Sequence, residues 1–503
     1  MAGVGGVQEQ KMRLDAQTLR NLEVLTTTEG GGKGSLLWLL SRSHTTMGAR
    51  ALRQWLLQPL LRPAAVEARL QAVADLSSHA GVPAQFVSRS ILLRRRPFSP
   101  QRESVFARQV PLTQLLQSKS LPDLERGLQA AHYGKLQPAG CVTMLRGLRA
   151  AADALPPPDA DATAAPPCDL LRELFPPTST TSLRAWLSTT TAAVDESAAL
   201  AGDTPQILRG DARPEPVRQC QQAIADAECE LEAYRRDTIQ PLFRSVTQYK
   251  KVLVEEFLVE IPNTRLAEVP RDWLLVNKTK AMSRFRPPRV AQLLQVLNEA
   301  RERLDAAAHA AWREFVASML AEGDVVWRQL VTGLSTLDCL LALAQIAKLP
   351  GYSRPKILPD EEGKGGALMA VGARHPMVEA LLPSGSAFVP NDVTLGCSTA
   401  DGGSDDSSEH CLIITGPNMG GKSSFMRQSA LLVILAQIGS FVPAESMSLR
   451  LFDAVHTRMG AADSLVSGRS TFLVEMEETA AILRQATHRS LVILDEVRTT
   501  GSL

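Results

Sequence analysis

A glycine-rich loop that ends in a lysine and a hydroxyl residue is the clearest chemical feature of this 503-residue sequence. Residues 416–423 read Gly-Pro-Asn-Met-Gly-Gly-Lys-Ser and fit the pattern G-x-x-x-x-G-K-[ST] without a gap. The glycines allow backbone N–H groups to curl around phosphates, Lys422 supplies a charge for the β- and γ-phosphates, and the Ser423 hydroxyl can bind Mg²⁺. The loop therefore predicts a nucleotide-phosphate site.

The residues on either side of this loop support the prediction. Cys411–Thr415 (CLIIT) is a short apolar run typical of a strand buried on both faces, and Ser424–Ile438 has the apolar spacing of a helix. A chance glycine-rich turn is the plain alternative, and the agreement of motif and flanks argues against it. The residues that we predict to bind nucleotide here are Gly416, Pro417, Asn418, Met419, Gly420, Gly421, Lys422, Ser423 and Ser424.

Two acidic residues end a later apolar run. Leu491–Leu494 (LVIL) predicts a second buried strand, and Asp495 and Glu496 follow it. In P-loop proteins an acid at this place reaches Mg²⁺, and a second acid can orient or deprotonate the attacking water. We assign Asp495 to Mg²⁺ and Glu496 to the water. The alternative is that the two acids merely end a strand at the surface.

A third polar stretch precedes a predicted helix. Ser467–Thr471 (SGRST) heads the helical stretch Phe472–Leu483. A Ser- and Gly-rich helix N-terminus can bind an anion, or it can be an ordinary cap, and the stretch alone favours the cap.

Composition limits the class of the protein. Hydrophobic residues make up 45% and charged residues 21%, and a chain of 503 residues needs several domains. The net charge is +1, so any contact with nucleic acid must come from a local patch. The seven cysteines are scattered and form no CxxC pair, which argues against disulfides or a zinc site. Neither a signal peptide nor an uncharged run of about 20 residues is found, so we expect no membrane contact.

The chain changes character along its length. Helical periodicity, as in Met47–Leu57 and Val217–Tyr234, gives way to the predicted short strands Val252–Ile261 and Trp273–Val276. Helical character then resumes, so two long helical stretches around a β-rich insertion suggest an antiparallel stalk with a tip. From Tyr352 onward, short apolar strands alternate with helices, which predicts an α/β domain with a parallel sheet.

Several stretches resemble the ATPase domain of the MutS family of DNA mismatch-repair proteins. They are Thr415–Ser424 (TGPNMGGKSS), Gln437–Ala444 (QIGSFVPA) and Thr457–Phe472 (TRMGAADSLVSGRSTF). Arg374–Glu379 (RHPMVE) and Phe388–Asp392 (FVPND) look like the first strands of that domain.

The resemblance extends upstream, over residues 12–496 in the order of the family. Met12–Val24 (MRLDAQTLRNLEV), Met47–Leu60 (MGARALRQWLLQPL) and Leu121–Leu128 (LPDLERGL) look like the start of the core and lever helices. Within the family, the insertion is most similar to the third eukaryotic MutS homologue, on Glu256–Ile261 (EFLVEI), Asp272–Trp273 and Thr279–Phe285 (TKAMSRF).

The resemblance implies a multidomain fold, mostly α-helical core and lever with a small β-rich clamp insertion, followed by an α/β P-loop ATPase domain. The segments that we expect are a flexible tail at 1–11, core and lever helices at 12–245 with a Pro/Ala-rich insertion at 155–167, the clamp at 246–289, returning lever helices at 290–350, and the ATPase domain at 351–503.

The resemblance also implies roles for single residues. Phe388 would stack on the adenine, while Asn418, Lys422 and Ser423 would hold phosphates and Mg²⁺. Ser470 would act in trans, on the γ-phosphate bound by the other subunit, so the active unit would be a dimer. The clamp would contact the DNA backbone, which suits its cations, although a solvated charge run is the alternative for each. These cations are Lys278, Lys280, Arg284, Arg286 and Arg289.

The family's activity follows as an expectation for this chain. We expect a nuclear, ATP- and Mg²⁺-dependent ATPase that binds double-stranded DNA with mismatches or insertion–deletion loops. Its partner would be the second eukaryotic MutS homologue. The alternatives are a DNA-binding scaffold that binds ATP without hydrolysing it, a meiotic MutS-type clamp, and an ATPase of the cassette or chromosome-maintenance class. The last would be favoured by long heptad repeats, which the sequence lacks.

The sequence departs from the family pattern at both ends. We expect the mismatch-reading and connector domains to be missing before residue 12, where no Phe-x-Glu segment is found. After Asp495 and Glu496 the sequence ends with Val-Arg-Thr-Thr-Gly-Ser-Leu, so we expect the ATPase domain to be incomplete. We interpret this as a truncated or misread gene model, and the alternative is a genuinely short protein.

Overall fold

The computed structural model describes residues 11–79, 112–118, 121–155, 169–360, 365–383, 386–396, 410–417, 420–459 and 471–495. The chain forms two compact units, of which the first comprises residues 1–125, 150–181 and 326–503, and the second residues 126–149 and 182–325. The expected tail lies outside the described residues except for Lys11, which forms a β-bridge with Leu60. The Pro/Ala-rich insertion lies outside them except for Leu155.

Helices account for most of the described chain, and several begin at side-chain caps that the sequence supplies. Asp15, Ser35 and Thr45 each accept a hydrogen bond from the backbone N–H three residues later, which satisfies one free donor of the first turn. The helices are, in chain order, Ala16–Asn21, Leu36–Leu40, Thr46–Leu57, Pro63–His79, 112–117, Leu124–His132, Pro138–Ala154, Asp169–Glu173, Pro177–Ala193, Glu196–Ala201, Glu215–Tyr234, Gln240–Leu242, Pro288–Ile346, Pro376–Leu381, Lys422–Gln437 and Thr471–Gln485. Tighter or wider helical turns lie at Thr204–Gln206, Gly210–Ala212, Arg235–Ile239 and Asn263–Glu268.

The helix Pro288–Ile346 has 59 residues and confirms the helical prediction after the insertion. Its most apolar 18-residue window is 72% buried, the pattern of a core helix. The buried Asp338 carboxylate accepts hydrogen bonds from His44 N, Thr45 N and the Thr45 hydroxyl, which fixes the start of helix Thr46–Leu57. Gly48 packs against the same carboxylate, since a Cβ there would lie 2.1 Å from Asp338 Oδ2.

The first unit contains two sheets. The parallel sheet that the sequence predicts is present, with the buried strand Ala454–Arg458 in its centre. The second sheet is mostly antiparallel, so the prediction of a parallel sheet is wrong there. Its strand Ala367–Ala373 exposes Met369 and Val371 on one face, which is typical of antiparallel sheets. In order across each sheet, the strands are Arg13–Leu14, Ala454–Arg458 and Ser490–Leu494, then Lys356–Ile357, Ser446–Arg450, Ala367–Ala373 and Asn391–Leu395.

Three predictions for this unit need correction. Cys411–Thr415 is not a strand, because an apolar run predicts burial but a strand also needs a hydrogen-bonded neighbour, and here Ile413 is 84% exposed. Arg374–Glu379 is not a strand but the start of helix Pro376–Leu381, in which proline takes the first helical position. The strand Ser490–Leu494 exists but is buried on one face only, since Val492 and Leu494 are exposed.

The second unit contains the β-rich insertion. Its four antiparallel strands pack on the helices Glu215–Tyr234 and Pro288–Ile346, with a core that includes Leu231, Phe243 and Trp273. In order across the sheet, the strands are Lys250–Val252, Glu255–Pro262, Met282–Arg286 and Leu274–Lys278.

Sequence and structure differ in two strands of this insertion. The predicted strand Val252–Ile261 is a hairpin that turns at Leu253 and Val254, with Leu253 at a φ of 56°. The prediction missed this turn because neither residue is a usual turn former. The strand Met282–Arg286 was missed because its basic residues indicate a charged surface, although Ser283 and Phe285 alternate inward.

Candidate functional site

The loop that begins at Gly416 is shaped by its glycines. Gly421 has a φ of 89° and caps helix Lys422–Gln437, a conformation that glycine adopts without a steric penalty. A Cβ at Gly420 would lie 2.9 Å from the Pro417 carbonyl oxygen, and that oxygen accepts a hydrogen bond from Gly420 N. The loop therefore needs glycine at both positions before the helix. Asn418 and Met419 lie outside the described residues.

The positive charge of the loop comes from Lys422. Its ammonium donates hydrogen bonds to the carbonyl oxygens of Gly416, at 2.7 Å, and of Pro417, at 3.0 Å. The side chain thus lies over its own loop, at the N-terminal end of a helix, where the helix dipole also favours an anion. This arrangement suits the binding of phosphate.

The helix behind the loop is held firmly in the core. Every residue from Gln428 to Gln437 is buried. At its far end, Gln437 donates hydrogen bonds to the carbonyl oxygens of Leu60 and Phe452 and accepts one from Phe452 N. These contacts fix the position of the loop at the near end.

The two predicted Mg²⁺ ligands lie together. Ser423 Oγ donates a hydrogen bond of 2.6 Å to Asp495 Oδ2. A hydroxyl and a carboxylate are hard oxygen ligands, so this pair fits Mg²⁺. Asp495 is held in turn by strand Ala454–Arg458, since its N–H donates to the Arg458 carbonyl at 2.8 Å and its carbonyl accepts from Arg458 Nη1 at 3.4 Å.

The other edge of that strand is completed by the N-terminal segment. Arg13 and Leu14 pair in parallel with its first two residues. Further along, Thr457 N donates to the Thr18 hydroxyl at 3.2 Å. Asn21 Nδ2 donates to the Thr457 carbonyl at 3.2 Å and to the Thr457 hydroxyl at 3.1 Å. Sequence reasoning missed Thr18 and Asn21, and the one signal for them is the i, i+3 spacing of two polar residues within Met12–Val24.

Three of the five clamp cations are paired with carboxylates. Arg284 contacts Glu260 at 2.9 Å, and Arg286 contacts Glu255. Their side chains are only 18% and 15% exposed. Arg289 contacts Glu230 at 3.1 Å but remains exposed. Arg284 and Arg286 therefore join strand Met282–Arg286 to strand Glu255–Pro262. The sequence could not show this, because the pairs depend on the register of the strands.

The remaining two clamp cations, Lys278 and Lys280, are exposed beside one fixed turn. Asn263 Nδ2 donates hydrogen bonds to the carbonyl oxygens of Thr279, at 3.0 Å, and of Lys280, at 2.9 Å. Asn263 Oδ1 accepts from the Ser283 hydroxyl at 2.6 Å. These two lysines therefore differ from the paired arginines: they are exposed, on a turn that side-chain hydrogen bonds hold in place.

Comparison with known proteins assigns the chain to a family. A model of MutS domain III matches residues 17–344, and a model of MutS domain V matches residues 412–502. The chain belongs to the MutS family. Similar MutS proteins include the DNA mismatch repair proteins MSH3 of Pyricularia oryzae, which is 38% identical over 495 residues, and Msh3 of Mus musculus, which is 35% identical over 496 residues. The Neurospora crassa protein msh-3 is 37% identical over 502 residues.

These alignments cover 97% of this chain but only 39%, 40% and 41% of the three MutS relatives, respectively. The chain thus spans about two fifths of their length. The relatives confirm the resemblance to the third eukaryotic MutS homologue that the insertion indicated.

Other predicted site residues of this MutS chain are less well placed. Phe388 is half-buried and precedes strand Asn391–Leu395, and no contact found among the described residues joins it to the loop. Ser424 lies in the first turn of the helix after the loop. Ser470 and Glu496 lie outside the described residues.

A buried histidine near the P-loop helix was also missed. His375 Nδ1 accepts a hydrogen bond from Val378 N and caps helix Pro376–Leu381. Burial, reinforced by the charge of Arg427, lowers the pKa of His375 to about 4. His375 is therefore neutral near pH 7, and its side chain has a structural role.

Proposed function

We propose that this chain belongs to a DNA mismatch-repair subunit in which ATP binding at residues 416–424 controls the grip of a clamp on DNA. The observation that carries the proposal is the contact between Ser423 and Asp495. It places a hydroxyl and a carboxylate beside a glycine-rich loop and a lysine, which is the set that phosphoryl transfer requires.

At the nucleotide site, Gly416–Ser424, with Asn418 and Lys422 among them, would hold the phosphates, and Phe388 would stack on the adenine. Ser423 and Asp495 would hold Mg²⁺, which would supply positive charge to offset the negative charge that develops on the phosphates. Two protein oxygens suffice, because Mg²⁺ commonly binds one or two protein ligands together with phosphates and water.

The reaction would be transfer of the γ-phosphoryl group to water. Glu496, the next residue after Asp495, would orient the water and accept its proton. Lys422 would stabilise the negative charge of the transition state. Ser470 would reach the γ-phosphate bound by a second subunit, so that hydrolysis would need a dimer.

The second unit would grip DNA through the clamp at 246–289, which the core and lever helices 12–245 and 290–350 would connect to the ATPase domain at 351–503. Lys278 and Lys280, on their fixed turn, would contact phosphates without reading bases. In the whole protein, the targets would be mismatched or looped duplexes, the partner the second eukaryotic MutS homologue, and the location the nucleus.

The proposal is tested by measuring the affinity of the chain for a labelled duplex with and without ATP and Mg²⁺. We expect ATP to change this affinity in the wild type but not in Lys422→Ala, which should lose nucleotide binding because the loop loses its cation. Arg427→Lys, in the same helix, keeps the charge and serves as the matched control. If ATP does not change the affinity of the wild-type chain for the duplex, the proposed coupling between ATP binding and DNA binding is refuted.

A further inference from the structure

The central strand of the parallel sheet has two different edges. Along one edge, each of its residues pairs with a residue of strand Ser490–Leu494, so that Ala454 lies opposite Ser490 and Arg458 opposite Leu494. Along the other edge, the two-residue strand Arg13–Leu14 pairs only with Ala454 and Val455. The backbone groups near Thr457 therefore need other partners on this side.

Helix Ala16–Asn21 supplies these partners through side chains. Thr457 is 3% exposed, so water cannot satisfy its backbone. The Thr18 hydroxyl accepts from Thr457 N, and the Asn21 amide donates to the Thr457 carbonyl and hydroxyl. Thr18 and Asn21 lie three residues apart, on one face of the helix, and together they do what a neighbouring strand would do.

On its other edge, strand Ala454–Arg458 pairs with strand Ser490–Leu494, which ends next to Asp495, one of the two proposed Mg²⁺ ligands. Arg458, next to Thr457, forms two hydrogen bonds with the backbone of Asp495. The Arg458 carbonyl accepts from Asp495 N, and Arg458 Nη1 donates to the Asp495 carbonyl. Asp495 in turn accepts the hydrogen bond from Ser423. A shift of residues 457 and 458 would therefore move the Asp495 carboxylate relative to Ser423.

We propose that Thr18 and Asn21 are positioning residues for the Mg²⁺ ligands Ser423 and Asp495. The inference rests on the proposed nucleotide function and deepens it. The same segment continues into the helical core, where Leu36 N donates to the Glu23 carbonyl at 3.0 Å and Leu37 N donates to the Val24 carbonyl at 2.8 Å. A change in the core is thereby transmitted to the Mg²⁺ ligands through the edge of one strand.

The test compares nucleotide binding with and without Mg²⁺ in Thr18→Val and Asn21→Ala. Affinity for a fluorescent ATP analogue in EDTA should stay close to that of the wild type, because the loop and Lys422 are untouched. The Mg²⁺ concentration that gives half of the gain in affinity should rise about tenfold, as is usual when a residue supporting a metal ligand is removed. Thr18→Ser, which keeps the hydroxyl, should restore the wild-type value.

The matched control is Arg20→Ala, an exposed residue of the same helix whose guanidinium donates to the Gln17 side chain. Hydrogen exchange supplies a readout that needs no nucleotide. In Asn21→Ala, exchange should rise in residues 454–458 and 490–495 and stay unchanged in Glu215–Tyr234. Increased exchange throughout the chain would mean that the side chain only stabilises the fold, and the inference would be overturned.

The remaining outcomes separate this inference from the proposed function. If the wild type gains affinity from Mg²⁺ and the variants keep the same Mg²⁺ dependence, the positioning role is refuted and the nucleotide site stands. If the wild type gains nothing from Mg²⁺, both fail together. If Thr18→Val does not fold, the single variant Asn21→Ser decides the matter by the same titration.

Discussion

Ser423 and Asp495 are 72 positions apart in the chain, yet their side chains share a hydrogen bond of 2.6 Å. The bond joins the first turn of the P-loop helix to the end of the last described strand. Because Arg458 fixes the Asp495 backbone from the neighbouring strand, the carboxylate is placed by the sheet rather than by its own loop. The end of the site that is proposed to hold Mg²⁺ is thus preorganised by the fold.

The first prediction concerns this pair. Asp495→Asn removes the charge but keeps the shape, so it should leave nucleotide affinity in EDTA nearly unchanged and abolish most of the gain that Mg²⁺ gives. Ser423→Ala should act in the same direction but less strongly, because the hydroxyl is a neutral ligand. Titration of Mg²⁺ against a bound fluorescent ATP analogue measures both effects, and Ser429→Ala, a hydroxyl later in the same helix, is the control. If nucleotide affinity depends on Mg²⁺ equally in the wild type and in Asp495→Asn, the assignment of Asp495 as a Mg²⁺ ligand is refuted.

The second prediction separates binding from turnover. Glu496→Ala should keep ATP affinity and remove hydrolysis, since the residue is assigned to water and not to the nucleotide. Hydrolysis is measured with the second-homologue partner present, and binding is measured on the same samples. Hydrolysis at the wild-type rate in Glu496→Ala would show that another group orients the water.

The third prediction concerns the exposed lysines of the clamp. Replacing Lys278 and Lys280 by Gln should weaken binding equally for different duplex sequences. It should also make the slope of the logarithm of the binding constant against the logarithm of the salt concentration less steep. The change should be about 0.9 for each DNA phosphate that the protein no longer neutralises. Asn263→Ala should weaken binding without changing the charge, because it releases the turn that carries Lys280. Fluorescence anisotropy over a range of salt concentrations measures the slope.

The controls for the clamp remove the same charge elsewhere in the second unit. Arg303→Gln with Arg313→Gln, both on the exposed side of the long helix, should leave the salt slope nearly unchanged. Arg284→Gln should lower the stability of the clamp more than its affinity for DNA, because Arg284 is paired with Glu260. If replacing Lys278 and Lys280 changes the salt slope no more than replacing Arg303 and Arg313 does, the turn that carries the lysines is only a solvated surface.

The sequence predicts helices better than strands here, for physical reasons. Apolar spacing located Glu215–Tyr234 and Pro288–Ile346, because a helix satisfies its own backbone. A strand needs a hydrogen-bonded neighbour. Leu491–Leu494 pairs with strand Ala454–Arg458, whereas Cys411–Thr415 pairs with no strand among the residues that the structure describes. Periodicity carries no information on that point.

The site shows the same limit. The loop motif pointed to Ser423, and the acids after the apolar run Leu491–Leu494 pointed to Asp495. The structure brings these two side chains together. Thr18 and Asn21 could not be predicted, since they meet Thr457 across more than 430 positions through side-chain contacts that no motif records. The pairing of Arg284 likewise depends on the register of two strands.

The last prediction concerns acid stability. Burial and the charge of Arg427 lower the pKa of His375 from 6.5 to about 4 in the folded chain. As pH falls below about 6.5, unfolded His375 gains a proton while folded His375 does not, so unfolding becomes easier until about pH 4. The loss is roughly 3 kcal/mol over that window. His375→Asn keeps a capping side chain but cannot titrate there, so its urea midpoint should fall less between about pH 7 and pH 4.5. His410→Asn, an exposed histidine, is the control, and equal pH dependence of the midpoint in wild type and His375→Asn would contradict the assignment.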